Sequence, residues 1–131
     1  GSLKPDMEAL VHQQGLAERV RFVGFQANPY AWLKQADAYV LSSLVESSPN
    51  VVLEALACGT PVIAVPALGG VKELLEGVDG SVLADDISPE ALARAIDQWA
   101  ASARVPVAET AVDRHRPALI AQQYERLFLG D

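Results

Sequence analysis

The stretch Val45–Val65, VESSPNVVLEALACGTPVIAV, decides how the rest of the chain is read. Ser48 suits a helix N-cap and Pro49 the first helical position, where a missing N–H costs nothing. Gly59 and Pro61 close the helix, which is expected over residues 49–58. The apolar run PVIAV, residues 61–65, then reads as a strand covered on both faces. Glu46 stands just ahead of the helix and Glu54 inside it. At the helical rise the two lie roughly 8–10 Å apart along the axis, too far to share a proton but near the span of a sugar and a ribose. The helix start between them is a natural place for an anion.

Outward from that segment, short apolar strands alternate with amphipathic helices. Helices are expected at 5–15, 29–35, 70–76 and 88–101, strands at 20–25 (VRFVGF), 38–42 (AYVLS) and 81–84 (SVLA), and a further helix within 107–129. This alternation predicts an α/β fold with a parallel sheet and helices on both faces.

The 131 residues suffice for one domain, and 50% hydrophobic residues supply a core. A net charge of -7 argues against nucleic acid or an anionic membrane surface as direct partner. No apolar run reaches membrane-spanning length and no signal peptide is visible, so a cytoplasmic location is expected. Cys58, the only cysteine, rules out an intramolecular disulfide and reads as a small buried filler. No cofactor or metal is expected: Asp85-Asp86 reads as a solvated turn, and His12 and His115 as surface residues.

Two glutamates at this spacing are a weak motif alone. The ordered set over about residues 19–100 is more specific: LSSLVESSPNVVLEALACGTPVIAV, then ALGGVKELLEG, DGSVLADD and SPEALARAI. It resembles the donor-binding, C-terminal domain of the retaining glycosyltransferases of family 4 (group 1). These enzymes have the GT-B architecture of two facing Rossmann-like domains and carry a Glu-x7-Glu motif.

The resemblance implies roles for individual residues. Glu54 would hold the ribose hydroxyls, and Glu46, the catalytic-site carboxylate, the donor sugar near its reacting carbon. Ser47, Asn50 and Val51, with Gly69 and Gly70 after PVIAV, would line the donor sugar and diphosphate. Gly24, Phe25 and Gln26 would meet the nucleotide base, which the sequence does not identify among uracil, guanine and adenine. Where many relatives have glycine after the first glutamate this chain has Ser47 and Ser48, and serine is less permissive of positive φ.

The resemblance also implies an organisation. Gly1-Ser2 reads as a cloning scar, residues 3–105 as a partial Rossmann-like nucleotide-sugar-binding domain truncated on its N-terminal side, and residues 106–131 as a closing helix that crosses onto an absent acceptor domain of the same protein. Relatives place the Arg and Lys that meet the diphosphate in a preceding block, and Lys4, Lys34 and Lys72 have no matching context. The chain is therefore expected to bind a UDP-, GDP- or ADP-sugar at most weakly and not to catalyse transfer alone. Trp99, Tyr124 and Phe128 would either face the absent domain or pack on the present sheet. Two other readings stand beside this one: a non-catalytic nucleotide or sugar-phosphate binding or assembly module, and a glycosidase using the two carboxylates.

Overall fold

A computed structural model describes residues 1–130. In chain order come α1 (Lys4–Gln13), α2 (Tyr30–Leu33), β1 (Tyr39–Leu41), α3 (Asn50–Ala57), β2 (Val62–Ala64), α4 (Val71–Leu75), β3 (Val82–Leu83), α5 (Pro89–Ala101), a 3-10 helix at Glu109–His115, and α6 (Pro117–Leu129). The strands form one parallel sheet in the order β1-β2-β3, with Tyr39 opposite Val62 and Ile63 opposite Val82. Helices carry the chain across between them, α3 from β1 to β2 and α4 from β2 to β3. The fold is the expected α/β, Rossmann-like one.

All three residues of β2 are buried, as a central strand covered on both faces requires. Val52, Ala55 and Leu56 of α3 form the helical stripe that packs into the same core, together with Leu41, Val65, Val71, Ala91 and Ala95. Thr60 is the one buried polar residue among those described, and its hydroxyl donates to the Leu33 carbonyl oxygen at 2.6 Å. That bond satisfies the buried hydroxyl and ties the end of α2 to the turn after α3.

The sheet has three strands where four were expected. VRFVGF is not a strand: residues 21–28 exchange no backbone–backbone hydrogen bond among the described residues, and Val20, Phe22, Val23 and Phe25 are exposed. In a doubly wound sheet of order 3-2-1-4-5-6, neighbours such as β1-β2-β3 correspond to positions 4-5-6, and the strand before them in sequence lies beyond two intervening strands. With no strand alongside, an apolar extended segment leaves its amides to water, whatever its β propensity.

A second cluster fastens the opposite end of the sheet. The Trp99 indole N–H donates to the Gly80 carbonyl oxygen at 3.1 Å, and the Arg104 guanidinium lies 5.1 Å from the Trp99 ring centroid and pairs with Asp37. Gly80 has φ 79°, and a β-carbon there would overlap the Val105 carbonyl. The segment around Ala101–Thr110 is thus laid along the domain, with Val107 buried. Of the three aromatic residues considered for an interface, Trp99 packs within the domain. Tyr124 and Phe128 stack on each other at 6.0 Å on α6, which buries no residue.

Candidate functional site

The carboxyl ends of β1 and β2 feed two loops, and these loops are joined. Val45 and Leu68 form a parallel bridge, and the Glu46 N–H donates to the Leu68 carbonyl oxygen at 2.8 Å. Gly69, at φ 93°, lies against the Glu46 carbonyl so closely that any β-carbon would overlap it. Glycine is needed here twice over, for the positive φ and for the close approach. Gly70, at φ 67°, has room for a β-carbon beside the Pro49 ring and is required only for its backbone conformation at the start of α4.

The helix that follows Glu46 begins one residue later than expected. Pro49, with ψ 80°, occupies the N-cap and Asn50 the first turn, and no side chain caps the helix. Ser48 offers its carbonyl to the Asn50 N–H at 2.8 Å, and Pro49 its carbonyl to the Val52 N–H at 2.9 Å. A proline whose ψ lies outside the helical range brings the chain in and cannot count as a helical turn. Val51, in that first turn, is left without a backbone acceptor among the described residues, as helix starts generally are. Ser47 and Asn50 are exposed, and Glu46, Val51 and Glu54 are half-buried.

Tyr39 reports on both glutamates. Its phenol is pushed up from the ordinary tyrosine value by burial first and then by the negative charges of Glu46 and Glu54. Both carboxylates therefore act on one half-buried ring at the β1 edge. Its only trace in the sequence is a phenol within an otherwise aliphatic strand; its neighbours come only from the folded chain.

Glu54 also opens onto an apolar groove between α2, α3 and the junction of the 3-10 helix with α6. Tyr30, Leu53, Cys58, Val112 and His115 line it, with Arg116 at its rim. Cys58 is thus half-exposed at this groove rather than buried. His115 is not an isolated surface residue either: its Nε2 accepts from the Arg114 Nε–H at 3.0 Å. Burial, then the Arg114 charge, lower its pKa from the ordinary value.

The structure brings Glu46, Ser47, Asn50, Val51, Gly69 and Gly70 to one rim, with Glu54 along α3. Gly24, Phe25 and Gln26 stand apart from it. Gly24 shares a cleft with Leu3, Lys4 and Met7, Phe25 is 94% exposed, and the Gln26 amide donates to its own segment at the Val23 carbonyl, 2.7 Å. Asp85 makes two bonds to Arg94 at 3.0 and 3.1 Å, and Asp86 accepts from the Ile87 N–H at 2.7 Å, as expected of a solvated turn.

Residues 1–102 match the family described as "Glycosyl transferases group 1". The chain belongs to the group 1 glycosyltransferases. It is 38% identical over 85 residues to the Vi polysaccharide biosynthesis protein VipC/TviE of Salmonella typhi, covering 65% of this chain and 15% of that protein. It is 35% identical over 111 residues to the lipopolysaccharide core biosynthesis glycosyltransferase LpsE of Rhizobium meliloti, covering 83% of this chain and 32% of that one. To the D-inositol 3-phosphate glycosyltransferase of Streptomyces griseus it is 38% identical over 104 residues, 76% and 22% of the two chains. Among solved structures, sucrose-phosphate synthase from Thermosynechococcus elongatus superposes with a TM-score of 0.68 at 28% identity, over 100% of this chain and 36% of that one. This glycosyltransferase chain thus spans about a third or less of the curated relatives above. Among the described residues no helix is long and apolar enough to cross a membrane.

Proposed function

We propose that this chain is the donor-binding portion of a retaining glycosyltransferase, which transfers a sugar from a nucleotide-sugar to an acceptor held by another domain of the same protein. The observation that carries the reading is the clamp between Glu46 and Gly69. In a chain of this family, it fixes a carboxylate and a glycine turn on one rim at the carboxyl ends of two parallel strands, where open α/β sheets bind ligands.

In this reading Glu54 accepts hydrogen bonds from two ribose hydroxyls, one at each carboxylate oxygen. Glu46 accepts from the hydroxyls of the donor sugar and orients its anomeric carbon, which lowers the entropic part of the barrier. The unpaired N–H of Val51 and the backbone of Ser47, Asn50, Gly69 and Gly70 face the diphosphate. There, fixed N–H dipoles stabilise the charge that builds on the leaving group. Gly24, Phe25 and Gln26 would reach the base only by moving from their present positions toward Glu54. Such a movement is available to a segment that exchanges no backbone hydrogen bonds. The exposed face of α6 would meet the acceptor domain, leaving residues 3–105 as the donor unit.

A backbone-amide NMR titration with UDP, GDP, ADP and their sugar conjugates tests this reading. Shifts confined to Glu46–Glu54, Gly69–Val71 and Gly24–Gln26, selective for one base and weakened in Glu54→Ala, are expected. Robust sugar transfer by this chain alone would overturn the donor-portion assignment, and a well-dispersed spectrum unmoved by every nucleotide would overturn donor binding by the chain.

A further inference from the structure

Arg114 lies outside every motif in the sequence and makes a concentrated set of bonds. Its Nη2 donates to the carbonyl oxygens of Glu73, Leu74 and Glu76 at 2.7, 3.1 and 3.2 Å, and its Nε–H to His115 Nε2 at 3.0 Å. Two of these carbonyls belong to the last turn of α4 and the third to its C-cap residue Glu76, and none of the three accepts a backbone N–H among the described residues; a cation there is also favoured by the helix dipole. At its other end α4 starts from Gly70, next to the Gly69 turn that grips the Glu46 backbone. The helix is five residues long, about 7.5 Å at the helical rise. Val71 and Leu75 are buried on its inner side, and the helix is tied to the turn by the Val71 N–H on the Gly69 carbonyl at 2.9 Å and the Leu74 N–H on the Gly70 carbonyl at 3.0 Å.

We propose that Arg114 is a positioning residue for the Glu46 carboxylate. By locking the C-terminal end of α4 to the 3-10 helix, it holds the Gly69–Gly70 turn against Glu46, and so couples the C-terminal segment of the chain to the donor rim. The 3-10 helix itself packs on α3, which carries Glu54, so one short element braces both glutamates. The donor role of that rim rests on the function proposed above; the mechanical coupling does not.

Amide hydrogen exchange on the intact chain separates the two. The reporters are the Glu46 N–H, bonded to Leu68, and the Val71 N–H, bonded to the Gly69 carbonyl at 2.9 Å. The controls are the Tyr39 N–H, bonded to Pro61, and the Ala84 N–H, bonded to Ala64, both at 2.8 Å in the sheet. In Arg114→Ala the reporters are expected to exchange on the order of tenfold faster, as the loss of one charge-assisted bond implies, with the controls unchanged. Arg114→Lys keeps the charge but not the fork of donors, and is expected to fall between the wild type and Ala. Equal acceleration of reporters and controls in both variants, or no acceleration, would overturn the coupling. Reporter acceleration in a chain that binds no nucleotide would leave the coupling standing and remove the donor role instead.

Discussion

The Gly69 α-carbon faces the Glu46 carbonyl with no space for a side chain, while the Glu46 N–H is held by Leu68, the residue before Gly69. The two loops that end β1 and β2 are therefore one structure, and the placement of Glu46 depends on a residue 23 positions away in the sequence. Gly69→Ala must either shift the Glu46 backbone or open the turn, and also meets the strain of φ 93°. A loss of about 1–3 kcal/mol is expected in denaturant unfolding. Gly70→Ala, strained in φ but uncrowded, should cost less, and equal losses for the two would argue against the close contact.

The α3 stripe offers a control without functional content. Leu56 is 2% exposed, and Leu56→Ala is expected to destabilise the domain by about 2–5 kcal/mol through the transfer and cavity terms. Leu127→Ala on α6, where Leu127 is 74% exposed, should leave the urea midpoint of the chain nearly unchanged.

Trp99 anchors the opposite end of the sheet. Trp99→Phe removes the indole donor from the Gly80 carbonyl and is expected to cost about 1–2 kcal/mol. A thermal melt of this variant that matches the wild type would return Trp99 to the role of an exposed ring awaiting a partner.

Acid should weaken the bracing of the 3-10 helix. His115 accepts from Arg114 only as the neutral imidazole, and its pKa in the fold is lowered, so the folded state binds fewer protons than the unfolded one. Stability from this residue is then fully present above the unfolded value, about 6.5, and is lost as pH falls toward the folded value. An NMR titration of His115 should give a pKa below the free-histidine value, and Arg114→Ala should raise it. A value above the free one would contradict the arrangement.

Much of this architecture was legible because it rests on local pattern. PVIAV had to be a covered strand, and the stripe of α3 is written in Val52, Ala55 and Leu56. VRFVGF has the pattern of a strand and is not one, because strand formation needs a neighbour, and apolar alternation does not state whether one lies alongside. Pro49 shifted the helix start by one residue because its ψ, not its φ, decides whether the turn counts. Within the site, the two glutamates and Gly69-Gly70 stood out in the sequence. Tyr39 and Arg114 did not, since Tyr39 meets Glu46 and Glu54 only in the folded chain and the partners of Arg114 are mostly backbone carbonyls, which leave no trace in residue type.

The separate duties of the two glutamates give the most direct test of the account. Dissociation constants for a nucleoside diphosphate and for its sugar conjugate should be measured on the wild-type chain, Glu54→Gln and Glu46→Gln, using the base selected in the NMR titration. The account predicts that Glu54→Gln weakens both ligands alike, by about tenfold for a lost charge-assisted bond, while Glu46→Gln weakens only the conjugate. Equal binding by all three proteins, or loss of the bare diphosphate in Glu46→Gln with Glu54→Gln unaffected, would contradict it.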